Sequence, residues 1–330
     1  MRAHIGRIPV YAIWIVLAFF GTHRPAFVRD YFDLSKRSPA VDPLVKAPAD
    51  VRQWWIARLR RFQWSPTSPI GVRTVFYLKA GSGLYTRDPA AAASPRWQQT
   101  PHPPDDAALA IVFRDQQFRV QWDSRQGRLE QLIQWDPMTL QGTWQPATQH
   151  FTTPGGTFRW GEWPLHLSHH PPYGRVLIFR SMRERPLPIA RFDLFPYNPE
   201  MRFRARLIPG PSHRTAWIET SRGLQTPMPE VGWLEFTYRG KTYRLRAFIE
   251  EGNDPSVLFI LFRDATTGKT TYPVGRYVEA VRQPDGSYIL DLNKAYVPLC
   301  AYADAYNCPI PPKENTLPFA VSAGERFMGH

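Results

Sequence analysis

Between Asp264 and Glu325 the sequence sets acids, amides, phenols and a single arginine among residues that read as strands. Asp264, Asp291 and Glu325 are candidate catalytic groups, because a carboxyl raised in pKa by burial can act as acid or base near neutral pH. Arg276 has the planar fork that matches a carboxylate or another anion. Thr271, Tyr272, Asn293, Tyr302 and Asn315 would complete a ligand-binding set as hydrogen-bonding walls. If Gly275–Arg282 and Ser287–Asn293 pair as a hairpin, Arg276 lies across from the end holding Asp291 and Asn293. Arg276 with Asp264 or Asp291 is then a charge-assisted pair. The same residue types also build tight turns and tie down irregular backbone, so a structural cluster stands beside a pocket as a reading of this segment.

Cys300 and Cys308 are the two cysteines, with seven residues between them. A zinc site needs about four ligands and usually a C-x2–4-C half-site, which this pair lacks. In an oxidising compartment the two are a disulfide candidate; in a reducing one they are buried thiols. His166, His169 and His170 lie in HLSHHPP with no carboxylate or cysteine nearby, which reads as a histidine cluster at the surface or core edge, and no metal is expected. Gly268-Lys269-Thr270 fails as a phosphate loop, since Arg263 stands where the earlier glycine belongs and a strand follows. Gly81-Ser82-Gly83 is not a nucleophile elbow. No cofactor is specified.

Four spaced patterns occur in order: D-x-T-x-G-x-x-T-Y-x-x-G-R-Y from Asp264 to Tyr277, D-x-N-x-A-Y-x-P-x-C-A-Y from Asp291 to Tyr302, C-P-x-P-P-x-E-N-x-L from Cys308 to Leu317, and Ala323-Gly324-Glu325. Together they resemble a bacterial and archaeal family known only as a domain of unknown function. The resemblance is specific over 260–326 and loose from about residue 70 onward. Leu292 departs from the phenylalanine common there, and Val297 and Leu299 flank Pro298 where asparagine and proline are common. The resemblance implies a β-rich domain and no established reaction.

The elements that must position these residues are strands. The chain has 330 residues, with 43% hydrophobic and 21% charged, which excludes wholesale disorder. Thirty-four prolines and 21 glycines are too many for a helical bundle and suit short strands and turns. Alternation marks Ile70–Lys79, Ala107–Phe113 with Gln117–Trp122, Gly174–Arg180, Ile189–Phe195 and Met201–Ile208. Gly232–Glu250 is a hairpin about Arg239-Gly240, Ser256–Phe262 a central strand, and Pro318–Ser322 a last short strand. Residues 86–106 are a Pro/Ala loop, and 134–173 have no assignable period. The fold expected over 63–330 is one mainly β domain with a possible split near 185: an antiparallel β-sandwich or partly open barrel.

Before it come two other segments. Ile8–Gly21 is an uncharged apolar run behind Arg2, His4 and Arg7, the layout of an export signal, but short for a span of about 20 residues. Residues 1–21 are therefore read as an apolar helix serving as signal-anchor or signal peptide, with a buried segment of a cytoplasmic protein as the rival. Residues 22–62 are a proline-bearing linker and a short amphipathic helix, 50–62. Asp50 is its cap; Val51, Trp54, Trp55, Leu59 and Phe62 form one face, and Arg52, Arg58, Arg60 and Arg61 the other.

Net charge is +13; 8 basic and 10 acidic residues from Arg246 onward leave 33 basic and 18 acidic in 1–245. The only tight cluster is Arg58, Arg60 and Arg61, and elsewhere arginines alternate along strands, so no nucleic-acid surface is expected. Three functions fit. The first is a membrane-anchored extracytoplasmic module binding a small polar or anionic ligand. The second is a hydrolase-type enzyme using the carboxylates, marked by a raised carboxylate pKa. The third is a structural subunit docking on a protein partner in a membrane complex, marked by an exposed apolar patch.

Overall fold

The computed structural model describes residues 43–87, 96–123, 125, 129–131, 141–145, 150–160, 162–170, 172–188, 192–250 and 254–327. The apolar run at 8–21 and the linker up to residue 42 lie outside the described residues. Among the described residues, no helix is long and apolar enough to cross a membrane.

The chain is mainly antiparallel β. Helix α1 (Ala49–Trp64) precedes two β bodies. Asp50 does not cap α1: Pro48 holds that position, and the Asp50 carboxylate in the first turn binds Arg202 Nη1 at 2.9 Å and Lys294 Nζ at 3.0 Å instead.

The first body is a sheet in the order β1-β10-β9-β8-β5-β4-β2-β3. Its strands are β1 (Val72–Leu78), β2 (Gly83–Thr86), β3 (Gln98–Thr100), β4 (Leu109–Arg114), β5 (Gln117–Trp122), β6 (Leu129–Gln131), β7 (Gln141–Gln145), β8 (His150–Trp160), β9 (Trp163–His170) and β10 (Tyr173–Phe179). β6 and β7 both pair with β8. The stretch at 134–173 without a clear period thus contains three strands. Proline and glycine within β8 and tryptophan in β7, β8 and β9 mask their alternation. Leu78, Phe118, Phe158, Trp160, Leu165 and Val176 lie in its core.

The second body is a closed barrel of β11 (Arg202–Glu219), β12 (Gln225–Tyr238), β13 (Lys241–Phe248), β14 (Val257–Phe262), β15 (Arg276–Arg282) and β16 (Tyr288–Asp291). It is closed rather than partly open, because β11 pairs with both β12 and β16. Alternation builds it: Phe203 and Ala205 are buried inside, while Arg202, Arg204 and Arg206 alternate with them and meet the carboxylates of Asp291, Asp285 and Glu235. The β12–β13 turn has Arg239 at φ 48° and Gly240 at φ 74°, the left-handed pair a tight hairpin turn requires. β11 bends where the register shifts between Pro209 and Arg214. Gly232 faces that bend at φ 135°, where a side chain would strike the backbone of Ile208.

Two expected strands are not seen among the described residues. At 189–195 only Leu194 forms a bridge, with Glu325, and residues 189–191 lie outside the described residues. Residues 318–322 run irregularly because side chains replace a ladder: Val321 N–H donates to Asp264 Oδ1 at 3.1 Å, and Val321 C=O accepts from Arg276 Nη2 at 2.8 Å.

The bodies share a buried cluster in which Leu177 and Phe179 of β10 meet Ala216, Ile218 and Met228 of the β11–β12 extension. Helix α1 docks on the barrel. Trp55 Nε1 donates to Asn293 O at 2.9 Å, and Trp55 and Phe62 pack with Phe192, Tyr296, Leu299 and Tyr302.

Candidate functional site

Most of the polar residues of 264–325 are used internally. The Arg276 side chain is 0% exposed. Its Nη2 donates to Asp264 Oδ2 at 2.9 Å and Val321 O at 2.8 Å; its Nη1 donates to Ala323 O at 2.6 Å and Glu325 O at 3.2 Å. A fork so enclosed has no face to offer a ligand. Its partner is Asp264, not Asp291, because the β14–β15 register sets Arg276 beside Phe262, two residues before Asp264. Asp264 Oδ1 also accepts from Thr266 N and Oγ1, and Thr266 Oγ1 meets Thr271 Oγ1 at 3.0 Å. Asp291 pairs with Arg202 at 2.9 Å and accepts from Asn293 N at 3.0 Å. Asn293 then clamps Asn198, receiving its N–H at 2.8 Å and donating to its carbonyl at 2.9 Å.

Asn315 closes a seam. β13 and β14 pair at one position, Phe248 with Phe259. Asn315 continues the bonding from its side chain, accepting from Arg246 N at 2.6 Å and donating to Arg246 O at 3.0 Å and Leu261 O at 2.8 Å. Thr271, Asn293 and Asn315 are all buried with such internal partners.

The remaining candidates gather on two neighbouring segments. Cys300 lies in a 3-10 turn, Leu299–Ala301, that Tyr302 terminates. Tyr302 OH donates to Glu325 Oε1, and Val297 N–H donates to Glu325 Oε2 at 2.9 Å. Burial is the largest influence on Glu325 and pushes its carboxyl up, while the nearby Arg58 charge, the Tyr302 and Val297 bonds and the Arg276 charge pull the other way. The expected carboxylate mark therefore falls on Glu325. Tyr272 and Cys300 pair through OH to Sγ at 3.9 Å. Of the two readings of Cys300 and Cys308, the disulfide candidate is not formed: both are free thiols, with Cys300 N–H donating to Cys308 Sγ at 3.2 Å.

The charge pattern of α1 puts Arg58 on the outward face, yet the residue is half-buried among aromatic rings. Its guanidinium carbon lies 4.1 Å from the Tyr296 ring centre, 5.0 Å from Phe62, 5.5 Å from Phe192 and 5.9 Å from Trp54. Nη2 reaches Val297 O at a long 3.4 Å, and the buried Nε has no hydrogen-bond partner. The sequence signal for this placement is spacing, since Trp54, Arg58 and Phe62 fall at i, i+4 and i+8 on one stripe. Tyr296 OH, on the same cluster, donates to Glu279 at 2.7 Å. Chemically this corner offers a cation with an unused donor, a buried carboxyl biased toward its neutral form, and two phenols.

The histidines form no such centre. His166 Nδ1 meets Thr157 Oγ1 at 2.9 Å, and His169 packs on Phe113 and Phe118. Among the described residues no group of three potential ligands could hold a metal ion.

Residues 189–326 match a family model described as "Protein of unknown function (DUF1684)". The chain is also similar to the uncharacterized protein from gene locus rrnAC0354 of Haloarcula marismortui, whose structure was solved by solution NMR. Identity is 37%, over 41% of this chain and 74% of that one, with a TM-score of 0.34. No curated protein matches.

Proposed function

The chain belongs, through residues 189–326, to the family described as "Protein of unknown function (DUF1684)", and from that premise, which carries no reaction, we propose that it is a membrane-anchored, extracytoplasmic β module that binds a small anionic ligand at Arg58. The observation that carries the reading is the half-buried Arg58 guanidinium, held among four rings with its Nε unbonded. A buried donor without a partner costs about 1–3 kcal/mol, which an anion's oxygen would recover once the half-buried side chain shifts to expose it. The aromatic rings fix the plane of the fork, so little rotamer freedom is lost on binding. Glu325 neighbours this charge, and burial raises its carboxyl against the pull of Arg58, so its ionisation sets how far the guanidinium is already compensated. Affinity should therefore weaken as pH rises through the Glu325 pKa, when a second carboxylate competes for the same cation. The apolar run at 8–21, with basic residues before it, supports the anchor and the extracytoplasmic face.

The test is titration of the full chain with acetate, phosphate and citrate, read by tryptophan fluorescence, since Trp54 borders Arg58. The expected result is a saturable change with at least one anion, weakened about 10- to 100-fold in Arg58→Lys, which keeps the charge and loses the fork. No saturable change with any of the three, or an unchanged Kd in Arg58→Lys, would sink the reading.

One observation favours a second reading, a hydrolase-type enzyme: the raised carboxyl is Glu325, linked through Tyr302 to a half-buried edge. Turnover of ester or phosphoester substrates that vanishes in Glu325→Gln would select it. The docking-subunit reading draws little support, since the exposed large apolar residues among those described are Val45, Trp217 and Val281, on three different elements.

A further inference from the structure

Tyr296 stands between an unpaired cation and an unpaired acid. Its backbone pairs with Tyr277 of β15, each N–H donating to the other's carbonyl at 2.9 Å. Glu279 lies two residues farther along that strand and so on the face that carries Tyr277. Tyr296 OH donates to Glu279 Oε1 at 2.7 Å. The Arg58 guanidinium lies against the same ring, its carbon 4.1 Å from the ring centre. The cation and the acid are therefore within about 10 Å of each other, joined by one phenol. They do not pair with each other, and among the described residues neither has an oppositely charged partner at ion-pair distance. Glu279 is half-buried, and the Tyr296 hydroxyl is the one donor on its carboxylate among the described residues. Trp54 borders both sides of this arrangement, 5.7 Å from the Tyr296 ring and 5.9 Å from the Arg58 guanidinium.

We propose that the ligand of this corner is a short amino acid zwitterion, its carboxylate on Arg58 and its ammonium on Glu279. The inference rests on the anion-binding reading of Arg58 and narrows it to a carboxylate that also carries an amine. A half-buried charge without a partner is poorly solvated, and an opposite charge recovers that loss. A simple anion satisfies Arg58 but is repelled by Glu279, and a simple cation meets the reverse; a molecule bearing both charges satisfies both. Each charged contact takes up about 3 Å, so the span leaves room for an amine and a carboxyl about one or two carbons apart. Trp54 gives those carbons an apolar wall. The acid–base state of the phenol agrees. Burial, and after it the charges of Glu279 and Glu250, push Tyr296 well above its ordinary range, with Arg58 opposing them, so it stays a neutral donor between the two charges.

The experiment is calorimetric titration of the full chain at neutral pH with glycine and β-alanine, each set against the acid that lacks its amine, acetate and propanoate. At least one amino acid should bind about 10-fold tighter than its acid, the effect of one charge-assisted hydrogen bond in a half-buried place. N-acetylglycine, which keeps the carboxylate and loses the ammonium, should show no such gain. In Glu279→Gln, whose amide oxygen can still accept the Tyr296 hydroxyl, the amino acid should weaken about 10-fold while acetate, freed of a like charge, tightens. A merely structural role for Glu279 would move both ligands the same way. If the variant does not fold, the wild-type series still decides. Acetate binding that depends on Arg58, with no preference for either amino acid, would overturn the zwitterion and leave the Arg58 reading standing. Amino acid binding unchanged in Arg58→Lys, or no binding by any of these compounds, would overturn both.

Discussion

Replacing Arg276 with methionine tests whether the polar signature is a knot rather than a pocket. The side chain is wholly enclosed and Asp264 is 1% exposed, so water cannot take over its contacts. Methionine preserves much of the stem's volume and removes the donors that serve Asp264 Oδ2 and the carbonyls of Val321, Ala323 and Glu325. Breaking one side of a buried ion pair costs about 3–5 kcal/mol, because the partner charge stays behind unpaired. Each stranded carbonyl adds about 1 kcal/mol or more, less whatever the 321–325 segment recovers by swinging into water. A net loss of about 5 kcal/mol follows, comparable with the whole stability of a marginal domain. At about 2–4 °C per kcal/mol the Tm should drop by about 10–20 °C. Urea unfolding gives the free energy, and hydrogen exchange gives the location. The amides of Val297 and Val321, bonded to Glu325 and Asp264, should lose protection before those of the β12–β13 hairpin. Arg276→Lys keeps a charge for Asp264 but has too few donors in the right plane, and should lose about half as much. A Met variant within about 1.5 kcal/mol of the parent, with 321–325 still protected, would refute this reasoning.

Other perturbations separate the remaining roles. The Glu325 carboxyl is raised in the folded chain above its ordinary 4.5. The folded state therefore binds the extra proton. Stability is greatest below the unfolded pKa and is lost as pH rises through the folded one, about 1.4 kcal/mol for each factor of about ten by which folding tightens the proton. Glu325→Gln should flatten that decline in urea midpoints measured from acid to neutral pH; a wild-type curve with no decline would remove the premise. Asn315→Ala strands Arg246 N–H and two carbonyls at the β13–β14 seam and should cost about 3 kcal/mol by chemical denaturation, with faster exchange at Arg246. An unchanged exchange rate there would mean that the seam holds without it.

Much of the barrel is legible in the sequence because its strands alternate cleanly. Met201, Phe203, Ala205 and Leu207 take turns with Arg from just before β11 into its start, and Arg239-Gly240 and Asp285-Gly286 punctuate hairpins where φ turns positive. The density of polar groups at 264–325 also marks a special segment. The partner of each group is not legible, because partners are set by register: Arg276 meets Asp264 and three carbonyls 45 to 49 residues away. Asn315 reads as a ligand wall, and its seam role depends on β13 and β14 diverging, which no local pattern encodes. Charge alone assigns Arg58 outward although its spacing places it on the aromatic stripe, where burial of the stem and stacking of the head outweigh solvation. The expected Pro318–Ser322 strand does not form because side-chain bonds satisfy that backbone first.

Helix α1 comes before the first sheet in the chain yet packs on the barrel that follows it, through Trp55 to Asn293 O, 238 residues away. The sheet of β1–β10 is thus a guest looped out between α1 and the barrel on which α1 packs, the two parts of one host. The family match, 189–326, covers the later part of the host and omits its earlier strand of chain. A fragment cut at 189 would carry Phe192, Leu299 and Tyr302 without their cover from Trp55 and Phe62, and Arg58 would be missing altogether. Sequence-defined and physically closed units differ here, and the cluster around Trp55 and Phe62 draws its residues from both sides of the sheet in the chain.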